Sequence, residues 1–357
     1  RLSASPVLTL HTPCQPAGGY MTGVVEAGRG PALIDDMECP PRLSKARNAQ
    51  IAEDTVASAS QGWYLDTEGA RVELPMAEAL ESTRLLPAGV ALPRPPAEVS
   101  REGRGAVSVV RASTLGAAKA LVSQGLRAGV LNFASAKNPG GGFLRGADAQ
   151  EESLARVSGL YPCLTKPEVY RFYADNEADP SCVYTDNMIM SPSVPVFKGE
   201  DGLPLDAPFT VGVLTAPAPN FGVASTRASA GSEEAIRAAR RQRMHRLLAV
   251  LAAEEFDAVV LGAWGCGVFR NDPAEVASEF SAALLGDFRG AFKQVVFAIV
   301  DESLCEVFRG ALAGRAPRAA APAGGAPAGR WGKPRNGEAK SNRKNARWAK
   351  QHADDAV

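Results

Sequence analysis

From residue 105 to residue 300 the chain alternates short apolar runs with longer amphipathic stretches, and this alternation limits what it can fold into. Ala106–Val110, 129–133 and 295–300 read as apolar strands and Ala258–Leu261 as a buried one, and 188–197 and 209–214 carry the β-branched, alternating character of strands. Between them lie helical patterns with start and stop signals. Ser113 caps a stretch in which Leu115, Ala118, Leu121 and Val122 share a face before Gly125 ends it. After Gln150 the run SLARVSGL is helix-compatible. Ser232 opens a long helix with Glu233 and Glu234 in its first turn, where the macrodipole favours negative charge, and Ile236, Leu247, Leu248 and Leu251 give it a buried stripe. Asp272-Pro273 makes an N-cap and N1 pair for another helix. Strands alternating with helices predict an α/β fold with a central sheet.

The flanks differ from this body. Residues 1–43 are rich in Pro, Gly and small residues without periodicity and read as an irregular lead-in. Ser44 then starts a helix in which Ile51, Thr55, Val56 and Ala59 line one face, with Gly62 ending the pattern. Residues 87–96 form a loop by their proline content. After Leu312 comes GRAPRAAAPAGGAPAGR, an Ala/Pro/Gly linker that cannot bury a core, so 313–357 is expected to be a disordered tail. This divides the chain into a lead-in, a folded domain over 44–312, and the tail.

The chain has 39 basic and 39 acidic residues, but residues 315–350 hold ten Arg or Lys against Glu338 alone, which leaves the rest acidic by nine charges. A basic tail on an acidic body suggests an accessory contact with a polyanion; the alternative is a solvated end. The six cysteines show no CxxC pair and no regular spacing, which argues against structural zinc or a disulfide framework and for free thiols in a reducing compartment, cytoplasmic or nuclear. No apolar run approaches the roughly 20 residues needed to span a bilayer. The first residues lack a basic-then-apolar secretory pattern, but because the chain begins at Arg1 a removed or missing leader stays open.

The chemistry concentrates after the strand at 129–133. There Asn138-Pro139-Gly140-Gly141-Gly142 is followed by Gln150-Glu151-Glu152. Consecutive glycines let a backbone approach a ligand closely and aim N–H groups at an anion. A carboxylate pair just beyond supplies acid–base chemistry to whatever the loop holds. In isolation a glycine run is a plain turn as often as a ligand loop, and a Gln-Glu-Glu triplet is usually a solvated helix start; their order here favours a site. A second glycine-rich turn, Gly262-Ala263-Trp264-Gly265-Cys266-Gly267, runs from a strand to the helix at Asp272 and suits a diphosphate, since free N–H groups and a helix N-terminus both favour anions.

The segments NFASAKNPGGG, FLRGADA and QEESLARVSGLYPCL resemble the catalytic signature of poly(ADP-ribose) glycohydrolases, in particular the microbial-type branch. LGAWGCGVFRNDP, Ser191-Pro-Ser-Val-Pro-Val-Phe197 and Ala216-Pro-Ala-Pro-Asn220 also fit that branch, in the family's order. The resemblance runs from about Ser44 to about Leu312. It implies a macrodomain-like three-layer α/β/α sandwich with a mixed sheet and an N-terminal helical extension. It also implies hydrolysis of ribose–ribose O-glycosidic bonds in poly(ADP-ribose), releasing ADP-ribose without metal or organic cofactor.

By the same resemblance Glu152 is the general acid and then base, and Glu151 hydrogen-bonds ribose hydroxyls. Adjacent residues on a helix do not face one point, so the two are not the opposed acid and base of most glycosidases. The acid needs a raised pKa, which burial supplies and Glu151 adds to. Gln150, Gly140, Gly141 and Gly142 are expected on the substrate. Related macrodomains place an asparagine at about the Ser135 position; this sequence departs there, leaving the terminal ribose to Asn138 or Asn132. Gly265, Cys266, Gly267 and Val268 are implied to cradle the diphosphate, with Phe269 against the nucleotide. Partners implied are poly(ADP-ribose) or ADP-ribosylated proteins, with no membrane.

Three competing readings are weaker. Cys266 has no histidine near enough in the sequence to make a Cys–His nucleophile, and Trp264 reads as core. His245 lies among Arg240, Arg241, Arg243 and Arg246, which reads as a solvated basic face rather than a metal site. One of Tyr161, Tyr170 and Tyr173 could stack on adenine, although each reads better as a core or surface aromatic. At the level of the whole chain, the rivals are an ADP-ribose-binding module without turnover and a mono-ADP-ribosyl hydrolase on the same scaffold.

Overall fold

The computed structural model describes residues 37, 39, 42–90 and 105–314. In chain order the elements are α1 (Lys45–Gln61), β1 (Trp63–Leu65), β2 (Arg71–Glu73), α2 (Met76–Ser82), β3 (Arg84–Leu86), β4 (Ala106–Val110), α3 (Thr114–Ser123) and β5 (Ala128–Phe133). There follow α4 (Gln150–Val157), α5 (Leu160–Leu164), α6 (Tyr170–Ala178), β6 (Met188–Lys198), β7 (Pro204–Ala216), α7 (Phe221–Ala224), α8 (Glu233–Ala253), β8 (Ala258–Leu261), α9 (Pro273–Leu285), β9 (Gln294–Ala298) and α10 (Glu302–Leu312). The lead-in before residue 37 and the tail after Gly314 lie outside the described residues, as does the 91–96 part of the proline-rich loop.

Seven strands form one mixed sheet in the order β3-β6-β7-β5-β8-β9-β4. β7, β5, β8, β9 and β4 run parallel; β6 pairs antiparallel with β7 and with the short edge strand β3. Successive side chains of β5 face opposite cores as a pleated strand requires: Val130 joins the core with α3, α4 and α5, and Leu131 joins the opposite core with α8, α9 and α10. The sheet is therefore covered on both faces, which is why β8 is apolar throughout and β5 is apolar but for Asn132.

The expected helix starts hold. The hydroxyls of Ser44, Ser113 and Ser232 and the carboxylate of Asp272 each accept an N–H from the first turn of the helix they precede, satisfying donors that have no partner inside it. Gly62 closes α1 at φ 80°. The fold adds the β1–β2 hairpin, α2, β3, α6 and α10, which the sequence reading did not separate.

One expectation fails. The basic run of α8 is not a solvated face, because Arg240 and Arg243 are fully buried. Arg240 meets Glu275 and Glu279 of α9, and Arg243 meets Asp186 and three backbone carbonyls. Their partners lie far away in sequence, so local periodicity could not reveal them. His245 does stand half-exposed, 3.5 Å from Asp287.

Candidate active site

The strands β5, β7 and β8 lie side by side and parallel, and their carboxyl ends release three connections to one edge of the sheet. These are the triple-glycine loop, the 217–220 segment and the 262–272 loop. Open α/β sheets bind ligands at this edge.

The triple-glycine loop folds back over the N-terminus of α4. Gly140 and Gly141 both have positive φ, 65° and 60°. Gly141 cannot be replaced at no cost: a Cβ there would lie 2.8 Å from the Glu152 carboxyl carbon and 3.3 Å from Glu151 Oε2. Both carboxyls thus converge on Gly141. The expectation that neighbouring carboxylates face different points is corrected here, because the loop wraps around the helix end and meets both. Phe143 and Tyr161, with ring centroids 4.9 Å apart, support the loop beneath Gly140.

The two acids differ in environment. Glu151 is 3 % exposed. Its carboxylate accepts the Ser135 N–H at 2.7 Å and the Asn132 amide at 3.2 Å. Burial nevertheless pushes its pKa up to about 8; the Ser135, Asn132 and Gly140 donors pull it down, and Glu152 adds to the rise. Glu152 is half-buried and accepts the Gly142 N–H at 2.9 Å. Glu151, buried under the loop, is thus a carboxyl held above its ordinary value.

The flanking residues brace this pair. Gln150 engages its whole amide within the protein, accepting from Phe133 N–H and donating to Leu131 O and Thr114 Oγ1, so it ties α4 to β5 and α3. Asn132 is fully buried and gives its amide to Glu151 and Thr215, while its own oxygen has no partner. Asn138 is half-buried, with its backbone N–H on Ser135 Oγ and its carbonyl on Gly141 N–H. Of the two asparagines, Asn138 is the one beside the open face. Arg156 joins α4 to the loop's end through Asp148 at 2.8 Å and Ala147 O at 3.2 Å.

The second loop has a rigid base and an exposed tip. Trp264 is fully buried and donates its indole N–H to Ala216 O at 3.0 Å, so it belongs to the core as expected. Gly265 has φ 75°, and a Cβ there would press on Ala218 and on the Asn271 amide. Gly267 is open and Val268 is 78 % exposed. Burial pushes the Cys266 thiol up to about 12, which removes it as a nucleophile. Phe269 is half-buried and faces a residue the sequence reading missed, Tyr184, at 5.9 Å between ring centroids. Tyr161 and Tyr173 are packed inward and Tyr170 lies on the outer surface of α6. The only local hint at Tyr184 was its place in a turn-rich run, Asp179-Pro180-Ser181.

Among the described residues no group of three or more His, Cys, Asp or Glu is placed to hold a metal ion, and no helix is long and apolar enough to cross a membrane. Five described cysteines are free thiols.

Comparison with known proteins fits this arrangement. The family model described as microbial-type PARG, catalytic domain, matches residues 52–199. A poly(ADP-ribose) glycohydrolase structure from Thermomonospora curvata is 38 % identical with a TM-score of 0.66, the alignment covering 74 % of this chain and 98 % of that one. The same enzyme bound to the inhibitor ADP-HPD aligns at 40 % identity and TM-score 0.64, over 74 % and 98 % of the two chains. A poly(ADP-ribose) glycohydrolase from Deinococcus radiodurans in complex with ADP-ribose is 42 % identical with a TM-score of 0.60, covering 68 % of this chain and 98 % of that one. No curated protein matched the chain. With nearly the whole length of these enzymes aligned, and the glycine loop and acid pair in place, the chain belongs to the microbial-type poly(ADP-ribose) glycohydrolase family.

Proposed function

We infer that this protein hydrolyses the ribose–ribose O-glycosidic bonds of poly(ADP-ribose) and releases ADP-ribose. The observation that carries the reading is the meeting of two carboxyls on Gly141, at the sheet edge where the glycine-rich 265–268 turn also emerges. A binding module has no use for a pair of acids beneath its ligand loop. The solved relatives act on, or are bound to, the corresponding ligands.

Accessibility divides the roles. Glu152, half-buried at the loop surface, is the group a substrate can reach. It gives its proton to the leaving 2′-oxygen as the anomeric C–O bond breaks and an oxocarbenium ion forms, then accepts a proton from the water that attacks. Glu151, buried and neutral below about pH 8, keeps the floor of the site uncharged and is available to hydrogen-bond a ribose hydroxyl next to Glu152. Asn138 is placed for the terminal ribose. The N–H groups of Gly140–Gly142 and of Gly265–Val268 offer donors to the phosphates, and Phe269 with Tyr184 borders the nucleotide. The catalytic unit is assigned to 44–312, and the basic segment behind it to an accessory polyanion contact.

The test is to incubate the protein with poly(ADP-ribose), and separately with mono-ADP-ribosylated protein, and to assay free ADP-ribose. Release from the polymer is expected. Release from the mono-modified protein alone would favour a mono-ADP-ribosyl hydrolase, and tight ADP-ribose binding without release would favour a binding module.

A further inference from the structure

The nucleotide end of the site stands on two buried arginines of α8, one turn apart, whose donors go to the site loops. Arg243 donates Nε to Asp186 Oδ1 at 2.8 Å, Nη1 to Val183 O and Pro217 O at 3.0 and 2.9 Å, and Nη2 to Tyr184 O at 2.8 Å. Arg240, held by Glu279 and Glu275, donates Nη1 to Asn271 Oδ1 at 3.2 Å. Asn271 in turn donates its amide to Pro219 O and Gly265 O at 2.9 and 3.1 Å, and its backbone N–H also goes to Gly265 O. Both arms therefore converge on the 217–219 segment, with the Tyr184 loop on one side and the Gly265 loop on the other.

These loops need such holding. Cys182 and Tyr184 have φ of 61° and 64°, and Arg270 has 56°, a region that L side chains enter only at a cost. Asp179 accepts the Tyr184 N–H at 2.7 Å from the other side. Burying guanidinium groups is expensive, and apolar side chains often stabilise a helix interface as well or better. What an apolar residue cannot do is fix the direction of several carbonyls at once.

We propose that Arg243 and the Arg240–Asn271 pair are positioning residues that keep the Tyr184 wall and the Gly265–Phe269 loop in register at the nucleotide end of the site. They touch no reacting atom. Their loss loosens ground-state and transition-state binding alike, and leaves the proton transfer at Glu152 intact. This proposal rests on the functional reading above.

Arg243→Lys keeps a charge opposite Asp186 but cannot reach all three carbonyls. It is expected to raise KM for poly(ADP-ribose) and Kd for ADP-ribose by about tenfold or more while kcat stays within about threefold. Amide exchange across 180–187 in the ligand-free protein should quicken in the same variant. Asp186→Asn carries the same expectation in weaker form should Arg243→Lys fail to fold, and Arg71→Gln, exposed on the β1–β2 hairpin, should match the wild type. A folded Arg243→Lys or Asp186→Asn variant with wild-type KM, Kd and exchange would overturn the proposal. So would a fall in kcat with KM unchanged. A wild-type protein that neither binds ADP-ribose nor cleaves polymer would instead overturn the functional reading, before any variant is compared.

Discussion

The two halves of the site are held in opposite ways. Around the second loop nearly every donor of two buried arginines is matched to a carboxylate or carbonyl, and the strained Tyr184 is tied from both sides. Around the acid pair the Asn132 side-chain oxygen and the Tyr173 hydroxyl are buried without partners, as is the Asn220 oxygen at the end of the 217–220 segment, and Glu151 is buried at a carboxyl whose charge the surroundings disfavour. Unmatched buried polar atoms cost stability and are tolerated where chemistry uses them. One half is thus held by matched charges and carbonyls, while the other keeps a buried carboxyl that resists ionisation beside the more accessible Glu152.

That contrast can be broken at Gly141. Alanine there would meet the Glu152 carboxyl and would have to hold φ at 60°, so Gly141→Ala should cut kcat/KM by about 10²-fold or more through misplacement of the acid. A drop of less than about threefold in a steady-state assay would mean the loop is not fitted to the pair.

A smaller effect sharpens the difference in electrostatics. The Glu151 pKa is raised on folding, so the folded state holds a proton that the unfolded state releases above its ordinary value of 4.5. The stability associated with that proton is fully present below pH 4.5 and is lost as pH rises to about 8, flattening beyond. Glu151→Gln removes the loss. Its melting temperature relative to wild type should climb between pH 5 and pH 9, by an amount corresponding to a few kcal/mol at most, on the order of 3. A pH-independent difference would place the ionisation elsewhere.

The smallest effect concerns the tail. Truncation at about Arg315 should leave thermal stability and cleavage of short substrate unchanged, since the described domain closes with α10 at Leu312. Ten cations interleaved with Trp331 and Trp348 should add a few-fold to the affinity for long polymer at low salt, shrinking as salt rises. Equal binding by both proteins at low ionic strength would return the tail to a solvated end.

Much of the frame was legible because it depends on local rules. β8 is a continuous apolar run and β5 one broken only by Asn132, as strands covered on both faces tend to be, and the caps at Ser44, Ser113, Ser232 and Asp272 act within a turn of themselves. The acid pair and both glycine loops were legible as motifs. What escaped depends on distant partners. Arg240 and Arg243 look like surface cations until Glu275, Glu279 and Asp186 are brought to them, and Tyr184 is one aromatic among several until β6 and α8 set it against Phe269. The amides of Gln150 and Asn132 bond to β5, α3 and Glu151, links that only the folded chain brings together, while the Asn132 oxygen is left without a partner.

Glu152→Gln tests the account most directly, because it keeps the side chain's shape and its contact with Gly142 while removing the ionisable proton. Release of ADP-ribose from poly(ADP-ribose), with and without EDTA, and the Kd for ADP-ribose should be measured on wild type and variant together. The account predicts metal-independent release by the wild type, a fall of about 10²–10⁴ in kcat for the variant, and ADP-ribose binding within about threefold of wild type. Substantial turnover by Glu152→Gln, or wild-type activity that EDTA abolishes and a divalent ion restores, would contradict it.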